Sequence, residues 1–214
     1  MNKTNVHPAN EPRKSRDRIL QHAVAMARQI GLEGLTIGLL AKDVGLSKAG
    51  LFAHFGSKEE LQLATLEAAR NCFLRDVVAP AQHVDRGLPR LYQVVMDWIT
   101  TMEQAKDQGG CFFYAAAAEL DGRPGPVRDR LVEASGQWLD WLRRQVVLAV
   151  ERGHLSPALD PEQMAFELHA YGQQANWAAQ LMKSDDAFAR ARRAIRECLL
   201  ANATDQGKAI LPEA

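Results

Sequence analysis

Apolar side chains recur along most of this 214-residue chain at spacings of three and four, as they do when one face of an α-helix is buried. Ile19, Ala23, Met26 and Ile30 form the first such stripe; Gly31 ends it and Gly34 follows in the turn. Ile37, Leu40, Ala41 and Val44 form a second, short stripe, with Thr36 placed to cap it. Ser47 opens a third, which carries Leu51 and Phe55 inward and stops at Gly56. Ser57 caps a fourth, with Glu59 and Glu60 in its first turn, where the helix dipole favours acids. This fourth helix is expected to run to about residue 79 and to end at Pro80. Leu88, Leu91, Tyr92, Val95, Ile99 and Met102 mark the next, to about Lys106. GGCFFYAAAAELDG (109–122) reads as a short, very apolar helix, and RPGP (123–126) breaks the chain. Val127, Leu131, Trp138, Leu142, Val146 and Ala149 mark a long helix that stops at Gly153. Helices from about Glu162 to Lys183 and from Asp185 to Ala201 complete the set. No segment alternates as a strand would, and nothing repeats. The pattern predicts an all-α fold of about nine helices.

Residues 36–61, TIGLLAKDVGLSKAGLFAHFGSKEEL, are more punctuated than core packing requires. Two short helices joined at Gly45, where a sharp turn needs positive φ, with a longer helix before them, make a helix-turn-helix. In that motif the second short helix enters the major groove and shows its first residues to base edges. Leu40, Val44, Leu46, Leu51 and Phe55 then hold the unit together, and Ser47, Lys48, Ala49 and Gly50 face outward, small or flexible enough for close approach. Lys48 can donate to guanine O6 or N7, or to a phosphate. Lys58 is placed for a phosphate at the start of the following helix, whose free N–H groups bind the same anion. The alternative for all of this is an ordinary helical hairpin with solvated lysines.

This stretch resembles the DNA-binding signature of the TetR family of bacterial transcription regulators. Thr36, Ala41, Gly45, Ser47, Leu51, His54, Phe55, Lys58 and Leu61 match its pattern in spacing and type. The resemblance is specific over roughly residues 15–65; beyond them it is one of architecture. It implies that Thr36, Ser47, His54 and Lys58 contact phosphate or sugar, and that Lys48, Ala49 and Gly50 face bases, with Gly38 nearby. Two positions depart from the pattern: Phe52 stands where the family usually has Tyr, and Gly50 where Thr is common. Phe52 lacks the hydroxyl with which Tyr reaches a phosphate. The stretch RKSR (13–16) admits two readings, a phosphate or minor-groove contact and a solvated charge cluster at a helix start.

Composition narrows the rest. Lys and Arg number 26, as do Asp and Glu, so bulk charge names no partner. Residues 1–60 hold nine basic against six acidic side chains, a bias too small to exceed ordinary scatter. No apolar run is long enough for a membrane span, and the N-terminus has no apolar signal segment, which places the protein in the cytoplasm. Cys72, Cys111 and Cys198 are far apart and odd in number, which argues against a disulfide framework and against metal or redox pairs. GLSKAG (45–50) misses the nucleophile-elbow spacing by one position and lacks a phosphate loop's ending, and the histidines show no HxxxH or HExxH spacing. No enzyme, no cofactor and no metal is expected. Cys111 reads as a small buried hydrophobe rather than a redox sensor.

The chain thus divides into a disordered arm (1–14), a helix-turn-helix domain (15–56), a larger helical domain for ligand binding and dimerisation (57–202) and a flexible tail (203–214). Residues 162–183 are apolar on more than one face, so one side suits the core and another a second copy of the chain. The resemblance agrees, implying a homodimer through the last two helices with Ile195, Leu199 and Cys198 taking part. Trp98, Met102, Cys111, Phe112, Phe113, Tyr114, Trp138, Trp141 and Trp177 are the candidates for an effector pocket, with Gln173, Asn176 and His169 as polar residues on an otherwise apolar helix. Two functions follow from the residues and the resemblance together. One is a dimeric regulator, a repressor released from a palindromic operator by an apolar or aromatic small molecule. The other is a DNA-binding protein whose body has no pocket and binds a protein partner.

Overall fold

The structure, a computed structural model, describes residues 11–212. Ten α-helices succeed one another among these residues: α1 (Glu11–Ile30), α2 (Ile37–Asp43), α3 (Lys48–Phe55), α4 (Lys58–Phe73), α5 (Leu88–Gln104), α6 (Phe112–Leu120), α7 (Pro126–Glu151), α8 (Pro161–Leu181), α9 (Ala187–Ala201) and α10 (Asp205–Lys208). Three serine or threonine hydroxyls start the first short helices. Thr36 accepts from the Leu39 amide at 3.2 Å, Ser47 from Gly50 at 3.0 Å and Ser57 from Glu60 at 3.0 Å. Each satisfies an amide that the first helical turn leaves without a partner. Gly45 takes φ +69° at the turn between α2 and α3.

Two apolar cores result. The first gathers Ile19, Leu20, Ala23 and Ala27 of α1 with Leu40, Leu51 and Phe55 of the short helices and Leu61, Leu66 and Ala69 of α4. It does not close at residue 56, because Phe112, Ala116 and Leu120 of α6 and Val127, Leu131 and Ala134 of α7 join it. The second core is built from α5, α7, α8 and α9 around Leu91, Trp98, Leu142, Leu168 and Ile195. Helices α4, α6 and α7 therefore belong to both the front and the body of the molecule.

The structure departs from the sequence reading in three places. Residues 11–14, assigned to a disordered arm, are already helical; Pro12 lies in the first turn of α1, where its missing N–H interrupts no hydrogen bond. The arm's residues 1–10 lie outside the described residues. Helix α4 does not end at Pro80 but continues through a π-helical stretch, Leu74–Val78, and three further residues, Ala79–Ala81. Pro80 sits in the first turn of that last α-helical segment, where its missing N–H interrupts no hydrogen bond. Finally, the tail is packed as far as residue 212. Thr204 caps α10 and donates to the Gly153 carbonyl at 2.6 Å, Leu155 pairs with Ala203, and Leu211 is buried. These are non-local contacts, which a polar, aperiodic stretch does not advertise.

Candidate nucleic-acid interface and cavity

The surface formed by α2 and α3 is open. Gly38, Ser47, Lys48, Ala49, Gly50, Phe52 and His54 are all exposed, as is Lys58 at the start of α4. Nothing lies within 4 Å of the space beside Gly38. No ion pair among the described residues holds Lys48, so its ammonium is free to meet an anion. The Thr36 and Ser47 hydroxyls accept capping bonds and keep their own protons to donate. Phe52 is 53 % exposed and protrudes. At the surface, Arg16 lies 5.1 Å from the Phe55 ring centre and His22 meets Asp43 at 2.9 Å, tying α1 to α3 and α2. Replacing Phe52 by Tyr is expected to tighten DNA binding by about 1 kcal/mol per subunit. Anisotropy titrations should show the gain equally on specific and scrambled DNA, because phosphate contacts carry no base information.

Behind this surface the α1–α2 loop is held from two helices, α6 and α4. The Glu119 carboxylate of α6 accepts from the amides of Leu32 at 2.8 Å and Glu33 at 3.1 Å. Gly31 makes that approach possible: it takes φ +80°, and a Cβ there would stand 1.6 Å from a Glu119 oxygen. From α4, Gln62 donates to the Leu32 carbonyl at 2.9 Å and Lys58 to the Glu33 carbonyl at 2.6 Å. Lys58 also meets the Glu33 carboxylate at 3.3 Å, so the sequence-predicted phosphate donor is already engaged with the loop. Burial works against the charge of Glu33, but hydrogen bonds from Gln62 and Lys58 and the charges of Lys58 and Arg123 hold its carboxyl below the ordinary value.

A cavity of about 500 Å³ lies between α4, α5, α6, α7 and α8, a volume suited to a small organic ligand. Phe73 and Trp138 meet edge to face with centres 4.9 Å apart, and Trp98 meets Trp138 at 5.6 Å. Trp138 and Trp141 lie nearly parallel at 5.9 Å, and the His169 ring stacks on Trp98 at 5.4 Å. Phe113 and Ala117 bring α6 into the wall, and Leu74 and Val78 bring in the π-helical stretch of α4. Arg70, Ser135, Gln137, Arg144 and Gln173 supply the polar lining. Two lining residues carry buried polar atoms with no protein partner, Trp138 at Nε1 and Gln173 at Oε1.

Of the residues put forward from sequence, Trp98, Cys111, Phe113, Trp138, Trp141, His169 and Gln173 line this cavity. Met102 and Phe112 do not: they border a separate hollow of about 40 Å³ and are otherwise core. Asn176 spends its Oδ1 on the Cys111 amide at 2.9 Å, a structural bond that joins α8 to the start of α6. Trp177 is exposed on α8, and Tyr114 borders neither hollow. Sequence reasoning missed Arg70, Phe73 and Gln137, whose only signal was a place on faces of α4 and α7 that had several possible partners. Burial pushes the Cys111 thiol up, and the Cys198 thiol is pushed up to about 12 by burial and by Glu167, so neither is held as a thiolate.

Burial also lowers the pKa of His169. The unfolded chain then takes up a proton near the ordinary histidine value while the folded chain does not, so stability is full above that value and falls as pH drops towards the folded pKa. His169→Gln should lose less melting temperature than the native protein between pH 7.5 and 5. An equal loss in both would place the acid sensitivity elsewhere.

Comparison with known proteins bears directly on these two features. Residues 19–65 match the family model described as bacterial regulatory proteins, tetR family, and residues 87–195 match the model described as tetracyclin repressor-like, C-terminal domain. The HTH-type transcriptional regulator SrpR of Pseudomonas putida is 25% identical over 152 residues, 71% of this chain and 68% of that protein. The biofilm operon icaADBC HTH-type negative transcriptional regulator IcaR of Staphylococcus epidermidis is 26% identical over 89 residues, 42% of this chain and 48% of that one. A TetR transcriptional regulator from Chloroflexus aurantiacus superposes with a TM-score of 0.78 over 91% of this chain and 98% of its own, at 21% identity. That structure shares the fold.

Proposed function

The chain belongs to the TetR family of bacterial regulators and is a DNA-binding transcriptional regulator, not an enzyme, and from that premise we propose that it is a dimeric repressor released from a palindromic operator when an apolar small molecule fills the cavity. One observation carries this reading: the helices that wall the cavity also hold the DNA-reading head. Phe73 of α4 and Phe113 of α6 face the ligand space, while Gln62 of α4 and Glu119 of α6 clamp the α1–α2 loop. A ligand that displaces either helix moves the head. Full release needs a differential affinity of about 5.5 kcal/mol, which two ligands per dimer can share. The alternative, a body without a pocket that binds a protein partner, is disfavoured by the cavity itself. In the head, Lys48, Ala49 and Gly50 face bases with Gly38 beside them, and Thr36, Ser47, Phe52, His54 and Lys58 lie along the backbone, Lys58 shared with Glu33. No helix among the described residues is long and apolar enough to cross a membrane, consistent with action on DNA in the cytoplasm.

The dimer is assigned to α8 and α9. Phe166, Leu181 and Met182 are 67 %, 66 % and 63 % exposed, with Trp177 between them on α8. A stripe of this size on one helix marks a contact surface. Phe166→Asp with Leu181→Asp, both at exposed positions, should turn the dimer into a folded monomer by sedimentation. The monomer should also lose its footprint on DNA flanking its own gene, where the dimer protects two half-sites about 34–36 Å apart or a multiple of that. A variant that stays dimeric, or a monomer that keeps the footprint, would refute the assignment.

A further inference from the structure

The cavity's lining narrows what it takes; this rests on reading it as the effector site. Its charged lining is of one sign: Arg70 and Arg144, with no Asp or Glu. Neither arginine has a carboxylate to itself. Arg144 and Arg143 share Asp140, each at 3.5 Å. Arg70 shares Glu67 with Arg130, and its Nε and Nη2 donate only to the neutral Gln137 oxygen, at 3.2 and 3.0 Å. The Trp138 N–H, on the same helix as Gln137 and Arg144, is a buried donor with no acceptor. Of the α7 donors that border the cavity, Arg144 thus has only a shared carboxylate and the Trp138 N–H has none. Much of the remaining wall is aromatic, and it includes two nearly parallel ring pairs, Trp138–Trp141 and Trp98–His169, beside the aliphatic Leu74, Val78 and Ala117. Such surfaces suit planar rings better than flexible chains.

We infer that the effector is a planar aromatic anion, its rings against the indoles and its acidic group met by guanidinium and indole N–H donors along α7. Guanidinium pairs well with a carboxylate, sulfonate or phosphate, and the pairing gains strength from the apolar surroundings. The buried Gln173 Oε1 offers an acceptor for one hydroxyl or N–H on the ring system.

Two dyes with the same rings test this in the full-length protein. One is 8-anilinonaphthalene-1-sulfonate; the other is N-phenyl-1-naphthylamine, which lacks the sulfonate. Both brighten in apolar sites. The anion should bind one per subunit with energy transfer from tryptophan, and about tenfold more tightly than the neutral dye, the worth of one charge-assisted bond. Arg144→Gln should remove most of that preference. Decanoate, an anion without rings, should displace the dye roughly tenfold less well than naphthalene-2-carboxylate does. Ala117→Trp, which fills the cavity from an exposed position on α6, should abolish binding of both dyes. Equal affinity for both dyes, or decanoate matching the aromatic acid, would overturn the inference while leaving the cavity as effector site, provided Ala117→Trp blocks binding. Undiminished binding to Ala117→Trp would place the dyes elsewhere and overturn the effector-site reading as well.

Discussion

Glu119→Ala is expected to cost the DNA-reading head about 2–3 kcal/mol and to weaken operator binding although Glu119 touches no DNA. The carboxylate accepts two backbone amides, those of Leu32 and Glu33, across 87 and 86 residues of sequence. Hydrogen bonds to a charged group are the stronger class, and removing the acceptor leaves part-buried N–H groups without partners. The α1–α2 loop then keeps its hydrogen bonds from Gln62 and Lys58 of α4 but loses those from α6, which holds the head only through the apolar contacts of Phe112, Ala116 and Leu120. Two measurements check this. Differential scanning calorimetry should show a lower or split transition, and anisotropy should show operator affinity reduced about tenfold or more. Glu119→Gln, which keeps an acceptor oxygen, should lose less on both. Wild-type melting and affinity in Glu119→Ala would mean that the loop is fixed without α6, and the proposed route from cavity to head would then run through α4 alone.

The second large effect is expected at Lys48. It opens α3, is exposed, and pairs with no carboxylate among the described residues. A specific base or phosphate contact from such a position is worth roughly 1–3 kcal/mol, and a dimer makes it twice. Lys48→Glu also turns an attraction to DNA into a repulsion. Operator affinity should fall at least a hundredfold, with melting temperature little changed because the side chain is exposed. Lys48→Ala should lose less, and its salt slope should flatten by about 1.8 per dimer if the contact is to phosphate, or stay put with relaxed sequence preference if it is to a base. A Lys48→Glu protein that still binds its operator tightly would show that α3 enters the groove by another face.

The head was legible because its signals are local. Thr36, Ser47 and Ser57 each cap an amide three residues on, and Gly45 and Gly56 take positive φ where the two short helices end. A residue and its neighbours suffice to read such features. The cavity was only partly legible. Trp98, Trp138 and Gln173 stand out as bulky or polar residues on apolar faces, and they line it; Met102, Phe112 and Asn176 stand out equally and are spent on packing or on a backbone amide. What separates the two groups is which faces of α5, α7 and α8 meet, and helical periodicity is silent on that. Arg70 and Gln137 form a pair across 67 residues, and Glu119 reads in sequence as an acid without a partner. The packed residues 203–212 escaped for a related reason, since a polar, aperiodic stretch can still be fixed by a few long-range contacts.

The central claim is that α3 reads a specific operator. It is tested most directly by anisotropy titration of the purified protein against DNA flanking its own gene and against a scrambled sequence, over a series of salt concentrations. The predicted result is a preference of at least about a thousandfold for one flanking segment, with affinity falling as salt rises by about 0.9 log units per phosphate contact. Equal affinity for the scrambled duplex and for every flanking segment would contradict it.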